Sequence, residues 1–433
     1  RLTFLGWRSG LVAIIAGLAL SFFLFGYAIV YWRNADMDFM VIYNALAMND
    51  GKPQHFFDHT AYLTILTVKH WFKLLHALGL LDAWSLSSLP SATDIAAFDA
   101  AMTHAVRAGR VLAFLIAAGS VLVFAALMRA IVRDWRVALL ATLAFAFSGG
   151  IAVHSRILRS ELIAALPVIF ALMLLIVAGR RASLTRPLAL GIAAVLCVLG
   201  LENKVQAILL IGTLPLVILP FGGRDSTSVS FWRNSPAAWL VTAVGAVIAG
   251  LAAGMAWPLI ATGYDRALID AAQFRPLLLG RYGVYQLALM LLIGACMIVY
   301  AAIWRVSAAE TLASMFAMVT GASLTLLLLH LAYDTRNVIA IANPLEKMLT
   351  FADTLTGDVA SGPGIAGIVR LLLEGIGSVL ARYTFVLHSS ARPTVFLTWL
   401  VVPGIVMVWG RGVRLAAPLA LTLLLASLGI DTL

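Results

Sequence analysis

Two carboxylates, Asp36 and Asp38, lie two positions apart just after the first long apolar run, which ends near Tyr31. Ionised acids at a bilayer boundary are costly when they lean inward, so a close pair either solvates a helix end or serves a site. A carboxylate beside a hydroxyl can take its proton as that oxygen attacks an electrophile. Complementary charge lies further along. His154-Ser-Arg-Ile-Leu-Arg-Ser-Glu161 is a very short polar turn between two apolar runs. Its Arg156 and Arg159 are three apart, so a helix would show both on one side. Two guanidiniums there suit the oxygens of a phosphate. Equally, Glu161 could neutralise one of them while the basic side chains reach for the interface.

Other polar groups break apolar runs on what reads as the same side. Lys204, in Glu202-Asn-Lys-Val-Gln206, splits one long stretch and either pairs with Glu202 or faces a ligand. Arg336, in Tyr333-Asp-Thr-Arg-Asn337, either pairs with Asp334 or binds. His55-Phe-Phe-Asp-His59 has the one-turn spacing that metals use, without the general-base Glu of the full motif. The chain has no phosphate-binding glycine loop and no nucleophile elbow. No ligand spacing demands a metal or any other cofactor, although acids near a sugar phosphate could hold a divalent cation.

The elements that must position these groups are membrane spans. Of 433 residues, 62% are hydrophobic and only 12% charged, and mean hydropathy is +0.99. A soluble domain carries roughly twice that charge. About eleven apolar runs approach or reach spanning length, at 10–31, 111–130, 137–151, 162–178, 188–201, 206–220, 237–262, 285–302, 312–331, 395–408 and 415–428. The fold expected is an all-α polytopic membrane protein, 1–433 forming one transmembrane domain. Cys197 and Cys296 lie inside apolar runs and so say nothing about redox compartment. The chain opens on Arg1 with no initiating Met and no cleavable-signal pattern, so Arg1 and Leu433 are read as limits of the segment, not natural ends.

Alternate connectors are short and basic (Arg1 and Arg8; Arg129, Arg133 and Arg136; Arg180, Arg181 and Arg186; Arg224 and Arg233; Arg305; Arg411 and Arg414), with only Asp134, Asp225 and Glu310 as acids. Short Lys/Arg-rich loops mark the cytoplasmic side, which puts the N-terminus inside and the long inserts 32–110, 263–283 and 333–393 outside. The net charge of +10 is therefore an orientation signal and not a nucleic-acid surface. Within the first insert, 39–48, 60–80 and 93–107 carry apolar residues at helical spacing and are expected as helices resting in the membrane interface.

The run Asp38-Phe-Met-Val-Ile-Tyr43-Asn-Ala45, with Gly51-Lys-Pro53 and Tyr62, resembles the first external loop of the GT-C superfamily of integral-membrane glycosyltransferases. It is closest in style to bacterial enzymes that use polyprenyl-phosphate-mannose. The Asp-Glu doublet of some branches reads Asp-Met-Asp here, and an expected Arg-Tyr reads Arg336-Asn337. The resemblance implies an inverting transferase that moves a sugar from a polyprenyl-phosphate donor to a hydroxyl of a glycolipid, glycan or protein. Lys-poor, Arg- and Ala-rich spans point to a GC-rich bacterium, and so to an inner membrane, among lipid, with the site facing the periplasm. Asp38 would be the general base, with Asp36 as substitute or hydroxyl-orienting partner. Arg156, Arg159, Lys204 and Arg336 would hold phosphate, and Glu161 would orient the Arg pair or the sugar. From another class, the same charges could serve a transporter or flippase for a lipid-linked or anionic solute.

Overall fold

The computed structural model describes residues 6–34, 38–52, 61–179, 185–201, 203, 231–233, 235–261 and 306–332, with scattered helical positions between 291 and 302 and at 373. The described residues contain helices and turns and no strand. Five helices are long and apolar enough to cross a membrane: Trp7–Tyr27, Ile95–Ile131, Ser160–Ala178, Pro236–Pro258 and Ala308–Leu331. Trp135–Ala146 and Arg186–Leu201 are apolar but shorter. The expected spans 10–31, 111–130, 162–178, 237–262 and 312–331 each fall on one of the five. Those at 206–220, 395–408 and 415–428 lie outside the described residues, and 285–302 is described only at scattered positions. Exposed Val12, Leu20, Leu122, Leu240, Leu251 and Leu328 coat these helices. Water would penalise such a surface and lipid would not.

The chain divides into two compact units, one of residues 1–166 with 202–204 and one of 167–201 with 205–433. In the first unit, α1 (Trp7–Phe22) buries Gly10, Ile14, Leu18 and Phe22. That i+4 spacing makes a single stripe along the helix. Gly10 admits α5 (Trp135–Ala146) to close range, because a Cβ there would lie 2.4 Å from Leu139 Cδ2. A π turn, Phe23–Tyr27, continues α1. The Phe22 ring stacks on Phe114 of α4 (Ile95–Ile131) at 5.0 Å.

Helix α4 corrects one expectation. An interfacial helix over 93–107 and a separate span from Val111 are one unbroken helix of 37 residues. Asp94 caps it by accepting from the Ala97 N–H at 3.1 Å, and no proline interrupts it. At 1.5 Å per residue it is roughly 55 Å long, well beyond the hydrocarbon core of about 30 Å. The span expected at 137–151 divides instead. Helix α5 stops at Ala146, and Ser148 starts α6 (Gly149–His154) by accepting from the Ile151 N–H at 3.4 Å. Helix α7 (Ser160–Gly179) follows, with Pro167 inside it.

The first long insert, 32–110, is packed where it is described. Helix α2 (Met40–Asn49) buries Val41, Ile42 and every residue from Asn44 to Met48. It is a core element, so the expectation of an interfacial helix over 39–48 is also corrected. Helix α3 (Tyr62–Ala77) buries Ile65, Val68 and Phe72 and exposes His70, Lys73 and Leu74. No local side chain caps α3. The Thr64 amide and hydroxyl both donate to Asn203 Oδ1, at 3.1 and 2.9 Å, so an orphan helix-start donor is satisfied from far along the chain. The Trp71 indole N–H donates to the Ala108 carbonyl at 2.9 Å and ties α3 to α4.

The second unit contains α8 (Thr185–Leu201), α9 (Pro236–Ala261) and α10 (Ala308–Ala332). Helices α8 and α10 touch backbone to backbone: a Cβ on Gly321 would lie 2.3 Å from the Gly191 carbonyl oxygen. Close approach through small residues is how helices gain packing energy in lipid. Arg186 and Glu310 form a nearly buried ion pair at 3.3 Å. Two of the three acids among the basic connectors are thus engaged, Glu310 in this pair and Asp134 as the cap of α5.

Candidate functional site

Among the described residues of the first unit, Asp38 and Arg110 form a fully buried ion pair. Asp38 stands at the π turn that leads into α2, and Arg110 projects from the middle of α4. Both side chains are 0% exposed. Asp38 Oδ2 accepts from Arg110 Nε at 2.9 Å and Nη2 at 2.8 Å. Arg110 Nη1 donates to the carbonyls of Gly26 at 3.1 Å and Ile29 at 2.5 Å. Those carbonyls lie at the end of the first span, where helix geometry leaves acceptors unfilled and the dipole is negative. Four of the five guanidinium donors are therefore used at one point.

The other Asp38 oxygen, Oδ1, accepts from the Leu158 amide at 2.5 Å. Leu158 lies midway between Arg156 and Arg159, so the loop carboxylate also holds the turn before α7. Burial pushes the Asp38 carboxyl above its ordinary value, against the pull of Arg110, the Leu158 amide and Arg159. With both oxygens engaged and no exposed surface, Asp38 as it stands presents nothing to an acceptor hydroxyl, which a general base must reach.

Three further guanidiniums gather around this pair. Arg156 Nη2 donates to the Ser21 hydroxyl, and the Arg156 guanidinium lies 5.2 Å from the Phe25 ring centre. Its backbone is pressed against Gly26, where a Cβ would sit 3.0 Å from the Arg156 Cα. Arg107, one helical turn before Arg110, lies 5.2 Å from the Tyr27 ring centre. Arg159 Nε faces Glu161 Oε2 at 3.4 Å, within ion-pair reach but without hydrogen-bond geometry. The Nε–H groups of Arg107, Arg156 and Arg159 are all buried and donate to no acceptor. Buried donors in proteins are almost always satisfied, and charged ones most of all. Three such cations at one end of the spans make a place for anionic oxygens.

Asp38, Arg156, Arg159 and Glu161 therefore come together, in one unit and at one end of its helices. Asp36, Lys204 and Arg336 lie outside the described residues, as do His55 and His59. Asn203, the neighbour of Lys204, is described, and it is the residue that caps α3. Sequence reasoning missed Arg107 and Arg110, which stood only as the ends of an expected helix and of the first insert, with no role given to either. One signal was present: Arg107 and Arg110 repeat the three-residue spacing of Arg156 and Arg159. Among the described residues no group of three or more His, Cys, Asp or Glu side chains is arranged to hold a metal ion. Comparison with known proteins gives no match: no family model fits the chain, and no curated protein or solved structure is similar to it.

Proposed function

We propose that this chain is an inverting glycosyltransferase of the GT-C type, moving a sugar from a polyprenyl-phosphate donor to an acceptor hydroxyl. The observation that carries the reading is the placement of Arg107 over Tyr27, of Arg156 over Phe25 and of Arg159 against Glu161 around the Asp38–Arg110 pair, with buried Nε–H groups that lack acceptors. The donor phosphodiester bears one negative charge and leaves as a monoester that gains a second. Fixed cations at that point favour the transition state over the bound donor. The acceptor oxygen bonds to the anomeric carbon as the carbon–oxygen bond to phosphate breaks, and the leaving phosphate takes the electron pair. A single displacement of this kind inverts the anomeric centre.

The hydroxyl proton goes to a first-loop carboxylate. Asp38 is engaged by Arg110, which leaves Asp36, outside the described residues, as the remaining acid named for that role. Glu161 orients Arg159. Lys204 and Arg336 belong to the reading as further phosphate ligands, together with about eleven spans by apolar run length. A cytoplasmic N-terminus and a periplasmic site in a bacterial inner membrane complete it. The lipid tail needs only an apolar groove between spans.

The test is a transfer assay with the purified chain in nanodiscs against a panel of polyprenyl-phosphate sugars, with product anomers assigned by NMR. Sugar transfer with inversion is expected. Retention of configuration, or lipid-linked solute flux in liposomes without transfer, would remove the proposal.

A further inference from the structure

We propose that Asp38 and Arg110 are positioning residues whose buried pair sets the geometry of the arginine site by fixing the turn that carries Arg156 and Arg159. The inference rests on the glycosyl-transfer reading for the identity of the anion, a polyprenyl phosphate, but its geometry stands separately. Asp38 Oδ1 holds the Leu158 amide, midway between the two arginines. The Leu158 side chain packs where Gly109, next to Arg110 on α4, leaves room: a Cβ on Gly109 would lie 3.2 Å from Leu158 Cδ2. Arg110 Nη1 grips the Gly26 carbonyl, and Gly26 abuts the backbone of Arg156. One guanidinium and one carboxylate thus join the end of the first span, the start of α2, the middle of α4 and the α6–α7 turn. Arg107 lies on α4 itself, one turn from Arg110, so all three anion-facing arginines are referred to the same pair.

A purely stabilising role does not account for this arrangement. Apolar side chains of similar volume often replace a buried ion pair without loss of stability. They cannot hold a backbone amide at a chosen point, which a carboxylate oxygen does by a directional hydrogen bond. The pair is suited to fixing position.

The experiment uses the full chain in nanodiscs, with long-chain polyprenyl monophosphate as the binding probe and hydrogen exchange read at the Leu158 amide. Asp38→Leu/Arg110→Met removes both charges together. It should fold, exchange faster at Leu158, and bind the probe about tenfold or more weakly, as misplaced contacts do. In turnover, its KM for donor should rise more than its kcat falls. Arg110→Lys should act in the same direction and less strongly, because an ammonium cannot reach Asp38, Gly26 and Ile29 at once. Unchanged probe affinity in a folded double variant overturns the proposal. A collapse of kcat with intact affinity also overturns it, since Asp38 would then touch the reacting atoms. Should the double variant fail to fold, Arg110→Lys decides, and wild-type affinity there refutes the idea. If the wild-type chain neither binds the probe nor transfers sugar, the glycosyl-transfer reading fails by itself. Slow Leu158 exchange that quickens in Arg110→Lys would still support the fastening, and fast exchange in the wild type would refute it.

Discussion

Removing Arg110 alone should be among the most damaging single changes in the first unit. Arg110→Met leaves Asp38 buried with only the Leu158 amide as partner and removes the guanidinium donor from the Gly26 and Ile29 carbonyls. Breaking a buried ion pair from one side costs about 3–5 kcal/mol, because the remaining charge is uncompensated. Against a typical total stability of about 5–15 kcal/mol, that is a large fraction. Asp38→Leu strands the guanidinium instead and should cost a similar amount. Asp38→Leu/Arg110→Met strands neither charge, so its loss should fall short of the sum of the singles by at least about 2 kcal/mol. Equilibrium unfolding in mixed micelles measures all three. The pH response adds a sign. Burial already holds the Asp38 carboxyl above its ordinary value, and loss of Arg110 removes the main opposing pull. A raised folded value means the stabilising contribution is complete below the unfolded value, near pH 4. It is lost as pH rises through the folded value. Arg110→Met should therefore be least unstable in acid and lose stability as pH rises through the folded value, while Asp38→Leu lacks that dependence. Additive single costs, or a stability for Arg110→Met that rises with pH, would refute the reasoning.

Three further outcomes follow from other parts of the fold. Gly321→Ala places a Cβ 2.3 Å from the Gly191 carbonyl oxygen. This overpacking should cost about 1–3 kcal/mol and outweigh the roughly 1 kcal/mol that alanine gains over glycine in a helix. Gly250→Ala, with nothing within 4 Å of its Cβ, should be neutral or stabilising by the same unfolding measurement. Asn203→Ala removes the remote cap of α3 and should cost about 1 kcal/mol, seen as faster exchange in the first turn of that helix. Asp50 is held below its ordinary carboxyl value: partial burial, which would raise it, is outweighed by the hydroxyl and amide of Ser87, helped by Ser85 and Lys52. The clasp it makes should be complete above the unfolded value and loosen as pH falls through the folded one. Limited proteolysis between Leu78 and Asp94 should show this, and Asp50→Asn should abolish the pH response.

The apolar runs were legible because a span must satisfy its own backbone within one continuous segment, so local composition identifies it. That logic found α7 and α9 to within two residues at each end, and placed α1 and α10 with ends off by up to nine and four residues. It failed between Thr93 and Ala130, where a polar stretch and an apolar stretch share one helix. Composition marks where lipid begins, while only a proline or a cap marks where a helix ends. Helix α2 was misread for a related reason: its apolar residues face protein on every side, and periodicity cannot tell protein from lipid. Asp38 and the turn arginines were recognisable as candidates from type and spacing. Arg110 was not, since its role depends on a carboxylate that lies 72 positions away in the chain, and single-sequence spacing carries no such distance.

The most direct test of the arginine site is the affinity of the folded chain for long-chain polyprenyl monophosphate, compared between wild type and Arg156→Gln/Arg159→Gln in nanodiscs. The two Nε–H groups without acceptors predict tight binding by the wild type and a loss of about a hundredfold in the variant, near 1.4 kcal/mol for each cation removed. Equal affinity in a variant that unfolds like the wild type would show that these guanidiniums do not hold a phosphate, and the transferase proposal would lose its physical basis.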